Sequence, residues 1–230
     1  MAIAGTKRRV RWLWRALRRG LMLAALVAIL LVLLFRWVNP PINYLMAREW
    51  IRLGGIERSW VPIRSMADGL PLSAAAAEDA NFCRHAGFDL DGIRDALGDR
   101  SRVRGASTIS QQVAKNVFLW PGRSWLRKGL EAGFTVLIEL SWPKRRIMEV
   151  YLNVAEFGEG VFGVEAAARH YFKTGADAIG PRSAARLMAV LPAPRDRSPV
   201  SGSGYIQRRG AAIQRGAETI RQDGRAACFL

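Results

Sequence analysis

Cysteine and histidine are scarce in this chain of 230 residues, which contains only two of each. Two cysteines are too few for a disulfide framework, and Cys83 and Cys228 do not form a C-x-x-C pair. A structural zinc site needs a cluster of Cys and His ligands, and the sequence has no such cluster. A chain of this length can instead bury enough apolar surface to fold without crosslinks.

Acidic residues are also few, because 19 Asp and Glu stand against 35 Lys and Arg, which gives a net charge of +16. The hydrophobic fraction of 50% excludes an intrinsically disordered chain. Residues 1–19 contain seven basic residues and no acidic one, together with Trp12 and Trp14. Such a segment is suited to binding either nucleic acid or an anionic lipid surface.

A long apolar run follows the basic segment and decides between these two partners. Residues 20–35 have no charged or polar side chain, and the run continues to residue 38 with Arg36 and Trp37, which suit a membrane interface. About 20 apolar residues cross the hydrocarbon core of a bilayer. A cleaved signal peptide is the alternative, but no small-x-small cleavage site follows. The run therefore predicts an uncleaved transmembrane anchor over residues 20–38.

The basic segment also predicts the orientation of this anchor, because positive charge is retained on the cytoplasmic side of a membrane. We therefore expect a cytoplasmic tail over residues 1–19 and a periplasmic domain over residues 39–230. The protein would be a single-pass protein of the inner membrane, and its domain would have no access to nucleic acid.

The exported part has a helical pattern throughout. Residues 43–53 are typical of an amphipathic helix that ends at Gly54, and Ser73 is the expected N-cap of an alanine-rich helix over residues 74–82. Apolar residues recur with helical spacing over about 107–118, 124–142, 144–154, 164–172, 181–191 and 204–221.

Two prolines mark helix boundaries in this pattern. Pro143 is expected to end one helix and begin the next, and Pro181 to lie in the first turn of another. No window alternates as a strand does, and residues 86–105 are interpreted as a loop or short helices. The sequence therefore predicts a mainly helical domain.

Two adjacent carboxylates, Glu78 and Asp79, follow four alanines. A helix of small residues packs closely or lines a cavity, so Glu78 is a candidate general base held in a cleft. A solvent-exposed glutamate in a good helix-forming segment is the alternative. His85, a short distance along the chain, is more typical of a local hydrogen-bonding residue than of a catalyst.

A polar stripe is expected on the helix that begins near residue 107. With 3.6 residues per turn, its apolar face is Ile109, Val113 and Val117. Amides, hydroxyls and one ammonium on a single surface suit sugar and phosphate binding, although an ordinary solvated face is an equal alternative. The polar residues are Ser107, Thr108, Gln111, Gln112, Lys115 and Asn116.

A second carboxylate, Glu131, lies among basic residues on the next predicted helix. We expect Leu130, Phe134, Leu137 and Ile138 to form the apolar face of that helix. The charged residues are either surface ion pairs or a cationic site for a pyrophosphate leaving group. The basic residues are Arg123, Arg127 and Lys128.

Taken in order, these segments resemble the peptidoglycan glycosyltransferases of family 51, over about residues 60–200. Each motif is weak by itself, but their order and spacing together are specific. The motifs are E-D-x-x-F-x-x-H-x-G at 78–87, G-A-S-T-I-S-Q-Q-V-A-K-N at 105–116, R-K-x-x-E at 127–131, K-x-x-I-x-E-x-Y-L-N at 144–153 and G-x-G-V-F-G-V-E-A-A-A-x-x-Y-F at 158–172. With one anchor and no transpeptidase domain expected, the chain is similar to the monofunctional members.

The resemblance implies a mainly α fold, in which a lysozyme-like helical catalytic lobe lies beside a small membrane-facing jaw, after a single transmembrane helix. The jaw would correspond to residues 88–105. The implied substrates are lipid II, a disaccharide-pentapeptide on undecaprenyl pyrophosphate, and the growing glycan strand. Membrane lipids and proteins of cell-wall synthesis or division are the other expected partners.

The resemblance also implies roles for individual residues. Glu78 would take the proton from the acceptor sugar hydroxyl, and Glu131 would be the second carboxylate of the site. Lys115, Arg123 and Lys128 would stabilise the leaving pyrophosphate. The pyrophosphate would leave from the face opposite the attacking hydroxyl, so the transfer would proceed with inversion at the donor anomeric carbon. The remaining motif residues would bind substrate (Ser107, Thr108, Gln111, Gln112, Asn116 and Arg127) or support the site (Asp79, Phe82 and His85).

A divalent cation, Mg²⁺ or Mn²⁺, is expected as an optional aid without a dedicated carboxylate cage, and no organic cofactor is expected. Three alternatives remain at this point. A lytic enzyme of the same shape would cleave glycan with one protonated acid and few cations. A membrane adaptor would need neither glutamate, and a nucleic-acid binder would require a cytoplasmic domain.

Overall fold

The structure, a computed structural model, describes residues 2–90, 107–122 and 124–230, with the backbone alone for residues 2–10. The chain forms two compact units, Met1–Asn39 and Pro40–Leu230. Most of the expected jaw, residues 88–105, lies outside the described residues, and so does Arg123.

The first unit is one helix, α1, at Ala2–Phe35. Within the described part of the chain, its segment Arg11–Phe35 is long and apolar enough to cross a membrane. This is consistent with a single-pass anchor, because about 20 apolar residues suffice to span the hydrocarbon core. The guanidinium of Arg36 lies 5.0 Å from the centre of the Trp37 ring, where the apolar run ends.

The second unit is built from helices, and the predicted mainly α character is confirmed. Its helices in the described residues are α2 at Tyr44–Leu53, α3 at Gly69–Glu78, α4 at Ile109–Phe118, α5 at Trp125–Ser141, α6 at Lys144–Val154, α7 at Val164–Phe172, α8 at Pro181–Val190 and α9 at Gly204–Gln222. A 3₁₀ helix at Ile63–Ser65 precedes α3.

Local chemistry sets several helix ends as the sequence predicts. The side chain of Asn43 accepts a hydrogen bond from the amide of Met46 and caps α2, and Gly54 ends that helix with φ of 74°. Pro143 is the N-cap of α6, directly after α5 ends, and Pro181 lies in the first turn of α8.

The predicted start of the alanine-rich helix is wrong. The helix α3 begins at Gly69, so Ser73 is buried inside it and does not cap it. It also ends at Glu78 and does not continue to residue 82. The residues before Ser73 include Leu70 and Leu72, whose complete or nearly complete burial favours extending the helix toward its N-terminus.

The expectation that no strand is present is also wrong, because three very short strands form a sheet in the order β1-β3-β2. They are β1 at Glu57–Arg58, β2 at Glu156–Gly158 and β3 at Val161–Phe162. The pair β1–β3 is parallel, with Glu57 opposite Val161, and β2–β3 is antiparallel. Strands of two or three residues are too short to show alternation in a sequence.

The core is centred on α6 and α8. On α6, Ile147, Met148, Val150 and Leu152 are fully buried, and so is the side chain of Asn153. The Asn153 amide pairs with both the N–H and the C=O of Val61, each at 2.9 Å, so it attaches that segment to α6 much as a neighbouring strand would. A helix that is buried nearly all round, such as α6, needs this kind of pairing for its polar groups.

The face of α5 differs in part from the sequence prediction. Its buried residues include Arg127, Glu131 and Thr135, whereas Leu130 is exposed. Ile138 is buried as predicted, Phe134 and Leu137 are half-buried, and Phe134 stacks on Phe118 with ring centres 4.7 Å apart. The inward charges of Arg127 and Glu131 pair with each other, because burying a charge without a partner is costly.

The two cysteines form a disulfide, which the sequence analysis did not predict. The Cys83–Cys228 bond joins the segment after α3 to the end of the chain, across 145 residues of sequence. Next to it, the rings of Phe82 and Phe229 are 6.1 Å apart. Cys83 is therefore a crosslinking residue.

Candidate active site

Glu78 is the last residue of α3 and lies half-buried against α4. Its Oε2 accepts a hydrogen bond of 3.1 Å from the side-chain amide of Gln112. An amide donor on the next helix fixes the carboxylate without neutralising it. The alternative of a fully solvent-exposed glutamate is therefore excluded.

Burial raises the pKa of the Glu78 carboxyl above its ordinary value. The hydrogen bond from Gln112 and the charges of Arg209 and Lys115 lower this pKa in part, and the charge of Asp79 raises it further. A carboxylate whose proton affinity is increased in this way is a better general base than one in water.

Asp79, directly after Glu78, is buried and joins two segments of the site. Its Oδ1 contacts His85 Nε2 at 2.9 Å, and its Oδ2 accepts a hydrogen bond of 3.0 Å from the amide of Ile109, the first residue of α4. The amide of Gly87 donates to His85 Nδ1, so the proton of the imidazole lies on Nε2 and is donated to Asp79. The pair orients the end of α3 against the start of α4.

Thr108 and Gln111 form a reciprocal capping box at the start of α4. The Thr108 hydroxyl accepts from the Gln111 amide at 3.2 Å, and the Gln111 side chain accepts from the Thr108 amide at 3.0 Å. The same hydroxyl donates to the carbonyl of Gly87 at 2.7 Å. Both residues are buried. Their polar groups, which we expected from the sequence to bind substrate, are therefore used in contacts within the protein.

Gly87 can only be glycine at this position. Its φ is +91°, and a Cβ would lie 2.7 Å from Cγ2 of Thr135 and 3.0 Å from Cγ of Glu139. The final glycine of the first motif therefore allows the segment after His85 to pack directly on α5.

Lys115 and Asn116 lie on the outer part of α4, beside a cavity of about 410 Å³. The cavity is also lined by Trp120 and Arg127, with Leu45 of α2. Lys115 reaches solvent, but the protein around its ammonium displaces water and lowers its pKa. Its pKa is also influenced by the charges of both Glu131 and Glu78, so this one cation lies within electrostatic reach of the two glutamates.

Glu131 is buried and holds two cations. Its Oε2 accepts from Arg127 Nη1 at 2.8 Å, and its Oε1 accepts from Lys128 Nζ at 2.5 Å. Arg127 is buried as well, whereas nearly half of the Lys128 side chain is exposed (46%). The carboxylate thus fixes a guanidinium beside the cavity and a solvent-accessible ammonium on the same helix.

Several residues that sequence reasoning did not select also support the site. Glu139 of α5 accepts from Lys144 Nζ at 2.7 Å and from the hydroxyl of Ser110, so it joins α5 to α4 and α6. The Lys144 ammonium lies 4.4 Å from the centre of the Phe82 ring, which is buried. The sequence did contain a signal for Glu139, because this carboxylate lies about two helical turns after Glu131 and therefore on the same face of the helix.

Arg209 of α9 is a further missed residue, for which the sequence carries no signal. Its Nη2 donates to the carbonyl of Ala77 at 3.0 Å, immediately before Glu78. The link spans 132 residues of sequence, so no local pattern could indicate it.

The predicted site residues thus separate into two groups. Glu78, Asp79, Phe82, His85 and Gln112 lie around the end of α3, and Lys115, Asn116, Arg127, Lys128 and Glu131 lie along α4 and α5. Ser107 is half-buried before α4, and Arg123 lies outside the described residues.

Among the described residues, no three His, Cys, Asp or Glu side chains are grouped so as to hold a metal ion. Both oxygens of Glu131 and both oxygens of Asp79 already accept hydrogen bonds from protein groups. The donor set therefore does not fit a resident Mg²⁺ or Mn²⁺ cage, which would need free carboxylate oxygens.

Comparison with known families gives a match to the family model described as Transglycosylase, over residues 47–218. This range includes every predicted site residue. It begins within α2 and ends within α9, so it covers most of the second unit.

Curated relatives match along nearly the whole chain. A protein of Jannaschia sp. (strain CCS1) is 52% identical over 225 residues, which is 96% of this chain and 94% of that protein. One of Rhodospirillum centenum is 51% identical, with 94% of this chain and 96% of that protein covered. One of Xanthomonas axonopodis pv. citri is 49% identical, with 94% and 92% covered. All three are named biosynthetic peptidoglycan transglycosylase.

Proposed function

The chain belongs to the transglycosylase family and is a peptidoglycan glycosyltransferase, and we propose that it polymerises lipid II with Glu78 as the general base. The observation that carries the proposed mechanism is that one helix, α4, contacts both groups of site residues. Gln112 of α4 donates to Glu78, and Lys115 of α4 lines the same cavity as Arg127, which Glu131 holds. Acceptor activation and leaving-group stabilisation would therefore take place along one short helix.

In the proposed reaction, Glu78 removes the proton from the 4-hydroxyl of the acceptor N-acetylglucosamine. The hydroxyl oxygen then forms a bond to C1 of the donor N-acetylmuramic acid, and the bond from C1 to the pyrophosphate oxygen breaks with its electron pair. Attack from the face opposite the leaving group inverts the anomeric carbon, so an α-linkage becomes β. The products are an extended strand and undecaprenyl pyrophosphate.

The leaving pyrophosphate would be stabilised by Lys115, Arg127 and Lys128, together with Arg123. Fixed cations stabilise the negative charge that develops on the leaving oxygen, so a protonating acid is unnecessary. Glu131 would act through these cations, because it holds Arg127 and Lys128 in place. We assign it an orienting role and not a role in proton transfer.

Sugar binding is assigned to Ser107, Asn116 and Gln112, whose side-chain nitrogen also donates to Glu78. Thr108 and Gln111 would act indirectly, because their polar groups cap α4 and fix Gly87. Asp79, Phe82 and His85 would support Glu78 in the same indirect way.

A divalent cation would enter with the substrate and not before it. The pyrophosphate oxygens of the substrate would be the ligands of Mg²⁺ or Mn²⁺. The carboxylate of Glu131 already accepts hydrogen bonds from Arg127 and Lys128. Magnesium is commonly bound through substrate phosphates with few protein ligands. We therefore propose that any metal dependence follows the substrate.

We further propose that α1 anchors the protein in the inner membrane, with residues 1–19 in the cytoplasm and residues 39–230 in the periplasm. The seven basic residues before the apolar run support this orientation. A reporter enzyme that is active only after export should be active when it is fused after residue 230. Activity of a reporter that works only in the cytoplasm would contradict the topology. Membrane lipids and proteins of cell-wall synthesis or division would then be its neighbours.

The decisive experiment is to incubate the purified full chain with lipid II in detergent or vesicles. We expect glycan polymer and undecaprenyl pyrophosphate to accumulate together. Release of soluble fragments from finished peptidoglycan, with no polymer from lipid II, would instead support a lytic enzyme. The paired cations around Glu131 favour the synthetic reaction, because a glycan-cleaving enzyme has no pyrophosphate to stabilise.

A further inference from the structure

The end of the chain packs on the segment that carries Glu78. The segment concerned, residues 78–85, contains Glu78, Asp79, Phe82 and His85 and is called the catalytic turn here. Residues 223–230 follow α9 and are called the C-terminal brace. The whole of the brace lies beyond residue 218, where the family match ends.

Three contacts from the brace reach the catalytic turn. Cys228 is bonded to Cys83, the Phe229 ring lies 6.1 Å from the Phe82 ring, and Arg225 Nη1 donates to the carbonyl of Ala80 at 3.3 Å. Phe229 is buried, so the brace is part of the packed domain and not a loose tail.

A fourth contact comes from the preceding helix. Arg209 of α9 donates to the carbonyl of Ala77, one residue before Glu78. Four contacts from α9 and the brace therefore hold residues 77, 80, 82 and 83, which flank Glu78 and Asp79 in the chain.

The catalytic turn has little regular structure of its own. The helix α3 ends at Glu78, and Asp79 has non-helical backbone angles, with φ of −159° and ψ of 74°. Other contacts from within the domain also support it: Asp79 contacts His85 and α4, Gln112 donates to Glu78, and the Lys144 ammonium lies over the Phe82 ring. Without the brace, Ala80–Arg84 would lose a covalent link and the contacts of Phe229 and Arg225.

We propose that the C-terminal brace, closed by the Cys83–Cys228 disulfide, positions Glu78 for proton transfer, so that polymerisation depends on the oxidised state of this cysteine pair. The inference rests on the proposed function, because it assumes that Glu78 acts on lipid II. The two cysteines are positioning residues and contact neither substrate nor reacting atoms.

The state of the bond can be changed with a defined reaction. Dithiothreitol transfers two electrons and two protons to the disulfide, which gives two thiols, and is itself oxidised to its cyclic disulfide. Cys83 and Cys228 are both partly accessible to solvent, so the reagent can reach the bond in the folded protein.

The test compares lipid II polymerisation by the oxidised wild type, the wild type in dithiothreitol and the double variant Cys83→Ser/Cys228→Ser. We expect kcat to fall about tenfold or more on reduction, because a displacement near 1 Å at a reacting group is sufficient for such a loss. The KM for lipid II should stay within about threefold, since the cation cluster on α5 is not attached to the brace. Dithiothreitol should have no further effect on the double variant.

Two controls separate positioning from general stability. Far-UV circular dichroism at the assay temperature should be the same for all three samples. Val161→Ala, in the small sheet, should lower the melting temperature while kcat stays within about twofold, since β3 does not hold the catalytic turn. Arg225→Gln leaves the disulfide intact and removes one brace contact, so it should lower kcat severalfold even if the cysteine variants fold poorly.

The results distinguish this inference from the proposed function. If the oxidised wild type makes no polymer, the proposed function is wrong and the inference falls with it. If the oxidised wild type is active and reduction or Arg225→Gln leaves kcat within about twofold, the proposed function stands and the brace is not a positioning device. The same conclusion follows if kcat falls only in proportion to the loss of the circular dichroism signal.

Discussion

Glu78 and Glu131 are the two glutamates of the proposed active site, and their surroundings differ in charge and in burial. Glu131 is buried and binds a guanidinium and an ammonium with its two oxygens. Glu78 is half-buried, accepts one hydrogen bond from an amide, and its pKa is raised by burial. One carboxylate is saturated with cations, and the other keeps an oxygen that can accept a proton.

This difference shows how one residue type performs two tasks. Both oxygens of Glu131 accept hydrogen bonds from cations, so this carboxylate is placed to hold those cations. The partly buried Glu78 carboxylate accepts one hydrogen bond, and its raised pKa favours proton uptake. Substitution of each glutamate by glutamine should therefore affect different properties, and the predictions below separate them.

The largest effect is expected for Glu78→Gln. Glutamine keeps the shape and the contact with Gln112 but cannot accept a proton, so the polymerisation rate should fall by about 10²–10⁴-fold. Initial rates with lipid II, measured with the folded variant, check this expectation. Glu218→Gln, on the exposed surface of α9, is the matched control and should keep full activity. Activity within tenfold of the wild type would remove Glu78 from the role of base.

The Glu131→Gln substitution should mainly affect folding. It leaves the buried Arg127 without its charged partner, which costs about 3 kcal/mol of the free energy of unfolding. Urea denaturation of the domain measures this loss. Lys128→Ala is the control on the same carboxylate: because its side chain is 46% exposed, its removal should cost less than about 1 kcal/mol. Equal losses in the two variants would contradict the picture of a buried pair with an exposed second cation.

The Lys115→Ala substitution tests whether the ammonium of Lys115 stabilises the leaving pyrophosphate in the proposed site. Removing one fixed cation from a developing negative charge should reduce turnover by about 10²-fold. Release of undecaprenyl pyrophosphate in a single turnover is the appropriate measurement, and Lys115→Arg should retain more activity than the alanine variant. A mild effect of the alanine substitution would show that the donor pyrophosphate binds elsewhere.

The smallest effect concerns stability and pH. Because burial raises the folded-state pKa of Glu78 above its unfolded value, the associated stability is present at low pH and is lost as pH rises through the folded pKa. At neutral pH the ionised carboxylate therefore destabilises the fold, and Glu78→Gln should melt slightly above the wild type. The difference should disappear toward acidic pH. A variant that melts below the wild type at neutral pH would show that the ionised carboxylate of Glu78 does not destabilise the fold.

Sequence reasoning was most successful where a local interaction fixes the structure. Gly54, Pro143 and Pro181 act within one turn of the helix ends that they determine, so the sequence predicts these ends closely. The contact between Asp79 and His85 is equally local, and both residues belong to the motif at 78–87, in which the role of Glu78 as base stays a prediction.

Prediction failed where packing between distant segments decides the outcome. The disulfide joins residues 145 apart, and Glu57 of β1 pairs with Val161 of β3, so neither contact leaves a local pattern. The periodicity of α5 located the helix but placed Leu130 on the buried face, because it cannot show that Glu131 and Arg127 pair with each other inside.

The contact between the Thr108 hydroxyl and the Gly87 carbonyl has a consequence for how substitutions at the start of α4 act. The same hydroxyl accepts a hydrogen bond from the Gln111 amide, so one side chain both caps the helix and holds the end of the first motif. Removing that hydroxyl would therefore disturb α4 and the segment after His85 together.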